Sequence, residues 1–491
     1  MAVAFTLLVA FGGTVIGLAL VLLALPLVLL SFGDGRLSGG AWSYGLVFAC
    51  SWIPAFLLLQ GMVRARPGRF EAPSPMLRRE QAPRLFALVE ELARATRTKP
   101  PAEIYLTAFV SLSVTETGGL LGIGSRRVLC IGAPLLATTT IAELRAGLAH
   151  ELGHFAGGDT RLCGILSFTE NTFRSVLVAT DKGRHASARA SHLFIEIAYD
   201  AANAVGRFLV RVFAWLYVRL TRPGAQRQEL AADALSAALA GRDTAIAMLE
   251  KIHVTGPLYG AYLDDEVGLA LNNGVMPVDL LDGFARFRAR FVERGLEAQL
   301  AKAVAEQKTD VFDTHPALSD RVAFLRALPE GTACAPETPA RDLLDPRLDL
   351  DAFLVDATWA RVDVTRLARP RVTRLRWDDF IGAVLPAVVR EDAQALGHAI
   401  AQLPRDVQHE LALALGARVV ATFFQAALVE RGGEIVALLG ESAVVLRYEG
   451  ETLRPAEIAS GAMRDGESRQ ALRRWAERIG GLPAPGTSAA A

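Results

Sequence analysis

The sequence predicts a mainly helical chain of the α+β class. It reads as an N-terminal helical hairpin, a helical central region holding a small β-sheet, and a mostly helical C-terminal region. Three observations carry that reading. Two charge-free runs open the chain, at 1–33 and 37–63. Short β-rich pieces are confined to 103–136, between segments whose apolar residues recur at helical spacing. Breaker-rich stretches at 66–80 and 334–342 divide the 491 residues into expected regions 1–64, 65–330 and 340–491.

The hairpin follows from length and charge. About 20 apolar residues cross a hydrocarbon core, and both opening runs exceed that. A cleaved signal peptide normally begins with positive charge, whereas "MAVAFTLLVAF" has none. Two spans joined by "FGDGR" are therefore expected. Arg64, Arg66, Arg69, Arg78 and Arg79 follow the second span, while the link offers only Arg36. Positive residues stay on the cytoplasmic side, so a multi-pass inner-membrane protein with its bulk in the cytoplasm is expected. Arginine-heavy basic usage, with only five lysines, suits a bacterial source. The formal net charge of zero gives no basic footprint for nucleic acid. Cys50, Cys130, Cys163 and Cys334 form no CxxC pair, which argues against a disulfide framework or a cysteine zinc site.

Further along, "APRLFALVEELARATR" (81–96) is an amphipathic helix. "EIYLTAFVSLSVTE" (103–116) and "RRVLCIGAPLL" (126–136) read as strands around a glycine-rich turn. Thr140 and Glu143 have capping-box spacing, so a helix is expected from about Ile141, ending at Gly157-Gly158. Residues 192–220 are intensely apolar, yet Glu196, Asp200, Arg207 and Arg211 share one helical face. That pattern favours a helix lying on the bilayer or against the anchor over a third span. The C-terminal region carries strand-like "EIVALLG" and "SAVVLRY" near its end and no chemical motif.

The central helix holds "AGLAHELGHFAGGDTR" (146–161), with two of the eight histidines. On a helix His150 and His154 are neighbours at i and i+4, so both imidazoles converge on one metal ion. Glu151 is rotated off their line, close enough to act on water without ligating; this is the mechanical content of H-E-x-x-H. A catalytic zinc needs a third protein ligand and an open position. The extended motif with another histidine six residues on fails here, because position 160 is Thr and Asp159 is one place early. "QRQELAADALSAAL" (226–239) instead supplies Glu229 as ligand. Asp233, one turn further on the same face, would hold a ligating histidine through its other ring nitrogen.

In combination, the HExxH helix, the later E-x-x-x-D helix, the N-terminal hairpin and "THPALSDR" (314–321) resemble the membrane zinc peptidases of the CAAX prenyl protease and HtpX type, which are gluzincins. The resemblance covers roughly residues 60–330. It implies a helical zincin catalytic domain, one Zn2+ per chain, and an edge strand that pairs with substrate backbone. This chain has Thr107 and Ala108 where such proteins often carry Asn-Ala. The resemblance also assigns His315 to the tetrahedral oxyanion and Arg321 to bracing the same region through an acidic partner. His315 precedes Pro316, a residue suited to a helix's first turn.

The expected function is a membrane-anchored zinc metalloendopeptidase, with Glu151 as general base, acting on membrane-proximal polypeptides in contact with the lipid bilayer. Prenylated substrates are not expected, because that branch uses many more spans. A rival reading, a catalytically silent membrane scaffold, has no use for the intact Glu151.

Overall fold

The computed structural model describes residues 2–32, scattered positions between 47 and 60, 70–117, 125–156, 193–306, 316–330 and 338–480, apart from 370 and 441–443. The chain forms two compact units: 1–107 with 111–251 and 305–345, and 252–304 with 346–491 and the short piece 108–110.

The first unit begins with α1 (Ala2–Phe32). Within it, Val9–Ser31 has a mean hydropathy of 2.7 and is the one candidate membrane span among the described residues. At about 1.5 Å per residue that window covers roughly the thickness of a hydrocarbon core. Most of the expected second span, 37–63, lies outside the described residues. Then come α2 (Pro83–Ala95), β1 (Glu103–Thr107), β2 (Leu112–Thr117) and β3 (Arg126–Gly132). They continue into α3 (Ala133–Thr138), α4 (Ile141–Ala156), α5 (Leu193–Ala240) and the first half of α6 (Arg242–Ala261), whose later residues belong to the second unit; α7 (Leu318–Arg326) also belongs to the first. The mainly helical α+β class is what the structure shows.

The sheet has the order β1-β3-β2, with β1 parallel and β2 antiparallel to the central strand. Val128, Leu129 and Ile131 bury β3. The outer side of β1 is closed by Leu77, whose backbone N–H donates to Ile104 O at 2.8 Å. The other edge strand, β2, runs beside α4, with the Leu112 side chain against Gly147.

The start of α4 is fixed chemically. Thr140 N–H donates to Glu143 Oε2 at 2.8 Å and Glu143 N–H donates to Thr140 Oγ1 at 3.2 Å, the reciprocal capping box. Leu144, Leu148 and Leu152 are fully buried along one stripe. Helix α5 is one continuous helix of 48 residues, so the apolar stretch near 208–220 and the acidic pair at 229 and 233 share a single rod. Its Phe213 meets Phe11 of α1 edge to face, with centroids 5.5 Å apart. The segment therefore packs against the first helix.

Helices α4 and α5 approach to backbone contact. A Cβ built on Gly153 would lie 3.1 Å from Ala232 Cα and 3.2 Å from its Cβ. Nearby, Ser236 Oγ donates to Ala146 O at 2.8 Å, a buried bond that fixes the sliding register of the two helices.

The second unit has an aromatic core of Tyr259, Tyr262, Phe284 and Trp377, all at most 1% exposed. Trp377 Nε1 donates to Tyr262 OH at 2.9 Å. Glu434–Ala437, Val445–Tyr448 and Glu451–Leu453 make a three-stranded antiparallel sheet; the sequence signals the first two strands and not the third.

Gly153→Val should lower stability by about 1–3 kcal/mol through overpacking, measured by denaturant unfolding of the full chain. Gly256→Ala, at a helical position with no atom within 4 Å of the new Cβ, should be neutral or stabilising by up to about 1 kcal/mol.

Candidate active site

Because α4 and α5 lie so close, their polar faces meet. His150 and His154 project from α4, with ring planes at 86° and their Nε2 atoms 3.2 Å apart. From α5, Glu229 sets one carboxylate oxygen 3.6 Å from His150 Nε2 and the other 3.7 Å from His154 Nε2. Donors about 2.0–2.1 Å from one tetrahedral zinc are separated by roughly 3.3–3.4 Å. The three groups come close to that triangle.

Charge points the same way. Glu151, Glu229 and Asp233 bring three carboxyl groups to the cluster, against the guanidinium of Arg321. Ionised together they leave two negative charges, the complement of a divalent cation. The donor set of two imidazoles and a carboxylate, with no thiolate, suits zinc.

Asp233 prepares one ligand. Its Oδ1 lies 3.0 Å from His150 Nδ1 and accepts that ring proton, leaving the Nε2 lone pair directed at the centre of the triangle. The alternative donor to Nδ1, Arg321 Nη2, is further away at 3.4 Å and already serves Asp233. Arg321 donates to both Asp233 oxygens, at 2.8 and 2.6 Å. Burial by itself would raise the Asp233 carboxyl, but Arg321 and then His150 outweigh it and hold the group below its ordinary value. Glu229, Asp233 and Arg321 are all buried, so this network has little solvent to screen it.

Glu151 stands apart from the triangle. Its Oε2 accepts the Val114 N–H of β2 at 3.1 Å. Burial pushes its carboxyl above the ordinary glutamate range, partly offset by His150 and by the Val114 hydrogen bond. A raised pKa makes it a stronger proton acceptor near neutral pH. Together, His150, Glu151 and His154 each offer a ligand atom within 4.8 Å of the others.

Six of the residues expected from the sequence are thus gathered: His150, Glu151, His154, Glu229, Asp233 and Arg321. Thr107 ends β1, in register with Gly132, and its Oγ1 bonds Ser111 Oγ at 2.9 Å. Ala108 is buried in the turn that follows. His315 lies outside the described residues; α7 starts at Leu318, so Pro316 sits just ahead of the helix rather than in its first turn. The residue that sequence reasoning missed is Val114. Its role is carried by a backbone N–H, and strand order, which no periodicity encodes, puts it beside the base.

Residues 80–328, just over half of the chain, match the family profile of peptidase family M48. The chain belongs to peptidase family M48. It is a metalloprotease, a hydrolase of polypeptides, with an apolar N-terminal helix of membrane-spanning length. Among curated relatives, Protease HtpX of Pseudomonas aeruginosa is 26% identical over 320 residues, covering 62% of this chain and 94% of the relative. Protease HtpX of Stenotrophomonas maltophilia is 27% identical over 321 residues, covering 63% and 93%. That of Ectopseudomonas mendocina is 26% identical over 289 residues, covering 57% and 84%. No solved structure matches.

Arg321→Met should destabilise the chain by about 3–5 kcal/mol, because it strands the buried Asp233 carboxylate. In the Asp233→Asn/Arg321→Met double variant the loss should be smaller than the sum of the single losses, which denaturant unfolding of zinc-free protein can measure.

Proposed function

We propose that this M48 peptidase is a zinc-dependent endopeptidase that cuts polypeptides at the membrane surface. One zinc would be held by His150, His154 and Glu229. When bound, zinc supplies a Lewis acid that polarises the scissile carbonyl and makes water more acidic.

The chain's own residues do the rest. Glu151 takes a proton from the attacking water and delivers it to the leaving amine, the two transfers that peptide hydrolysis requires of a base. Asp233 keeps the proton of His150 on Nδ1, so the ring presents its other nitrogen as a ligand. Arg321 keeps Asp233 ionised. Among the described residues β2 is an edge strand, and its outer side, where Val114 N–H points away from β3 toward Glu151, suits an extended peptide adding as a further strand. By family resemblance, His315 stabilises the oxyanion. The hydrophobic N-terminus and the arginines after residue 63 favour an inner-membrane enzyme with its cleft in the cytoplasm. Membrane-proximal proteins are then its natural substrates.

The single observation behind this reading is the near-tetrahedral triangle of His150, His154 and Glu229 with a buried, strand-held glutamate beside it. Glu151→Gln should keep one zinc per chain by elemental analysis, while cleavage of a casein-type substrate falls roughly 10²–10⁴-fold. The pH dependence has a definite sign. A base works ionised, so wild-type kcat/KM should fall as pH drops through the raised Glu151 value, and the residual activity of Glu151→Gln should lack that acid limb. Undiminished hydrolysis in Glu151→Gln, or loss of its zinc, would contradict the assignment.

A further inference from the structure

Helix α5 carries a second feature that proteolysis does not use. Between Asp200 and Glu229 the sequence has five arginines, Arg207, Arg211, Arg219, Arg222 and Arg227, and no acidic residue. Arg211, Trp215, Arg219 and Arg222 are spaced by 4, 4 and 3, so they form one stripe of the helix. Arg211 and Arg219 are exposed, and the Arg219 guanidinium lies 5.9 Å from the Trp215 ring centroid. Among the described residues, Arg211, Arg219 and Arg222 have no carboxylate within ion-pair distance, and Arg222 Nε is buried with no hydrogen-bond partner. Elsewhere in the chain, exposed arginines such as Arg286, Arg369 and Arg478 do pair with carboxylates.

The stripe also has a defined level. Phe213, within the same stretch of α5 but on another face, packs on Phe11, two residues from the Val9 end of the apolar window of α1. Phe208 and Trp215 on the same helix are exposed at 65% and 44%. An arginine at the bilayer centre is costly, whereas tryptophan and arginine together favour the headgroup layer. A cationic stripe at that level, without carboxylates of its own, is complementary to phosphate.

We propose that Arg211, Arg219 and Arg222 bind the headgroups of anionic phospholipids, seating at the membrane surface the part of α5 that lies about 10 Å (Arg222) to about 27 Å (Arg211) along the helix from Glu229. The binding requires no zinc, so its failure and a failure of the peptidase reading are separable.

The test uses the full chain in neutral detergent, with and without zinc, titrated with dihexanoyl phosphatidylglycerol and followed by microscale thermophoresis. Dihexanoyl phosphatidylcholine and inorganic phosphate are the comparison probes, and each should bind at least tenfold more weakly. At about fivefold per arginine, Arg211→Gln/Arg219→Gln/Arg222→Gln should weaken phosphatidylglycerol binding roughly 100-fold. The exposed pair alone, Arg211→Gln/Arg219→Gln, should weaken it roughly 25-fold with an unchanged unfolding midpoint, which separates lost binding from lost folding. Arg366→Gln/Arg374→Gln should change nothing. Equal affinity for the two lipids, equal affinity for inorganic phosphate, or unchanged binding in the exposed-pair variant would each overturn the proposal.

Discussion

Side chains reach only so far, and the ligand set proposed for this peptidase comes from two helices. His150 and His154 stand on α4 and Glu229 and Asp233 on α5, each pair one turn apart. Donor separations of 3.6 and 3.7 Å from Glu229 to the two imidazoles across that gap require the backbones to touch, and they do so where Gly153 faces Ala232. The buried leucine stripe of α4, the Ser236 bond to Ala146 and the capping box that fixes the start of α4 all serve that contact. Packing and chemistry are therefore one problem here: a side chain added at the crossing moves the metal ligands.

Electrostatics then limits what the crossing can hold. Buried carboxylates persist only when paired or metal-bound. Arg321 answers Asp233 directly, and Asp233 in turn orients His150. Glu229 faces the two imidazoles, with Arg321 Nη1 3.6 Å from one of its oxygens, and Glu151 accepts the Val114 N–H of β2. The two carboxyl groups thus differ by environment: one stands in position to complete the proposed cation site, and the other is kept basic by burial.

Much of this was legible in the sequence, for a physical reason. The spacing of His150 and His154 and that of Glu229 and Asp233 are local properties of a helix, so one periodicity places each pair. The capping residues Thr140 and Glu143 are equally local. The hydrogen bond from Val114 to Glu151 is not local, because it depends on β2 being an edge strand in the order β1-β3-β2. Family resemblance implied an acidic partner for Arg321, but nothing in the sequence identified it as Asp233, 88 positions away. The continuity of α5 was hidden as well, since Pro223 and Gly224 punctuate the sequence inside a helix that runs straight through them. Tertiary packing overrides local propensity there.

The central claim is that two imidazoles from α4 and one carboxylate from α5 share a single zinc. X-ray absorption at the zinc K-edge of the full-length protein tests it most directly. The account predicts only nitrogen and oxygen scatterers at about 2.0–2.1 Å, with the multiple-scattering signature of two imidazoles. A sulfur shell at about 2.3 Å, or the signature of three imidazoles, would contradict it.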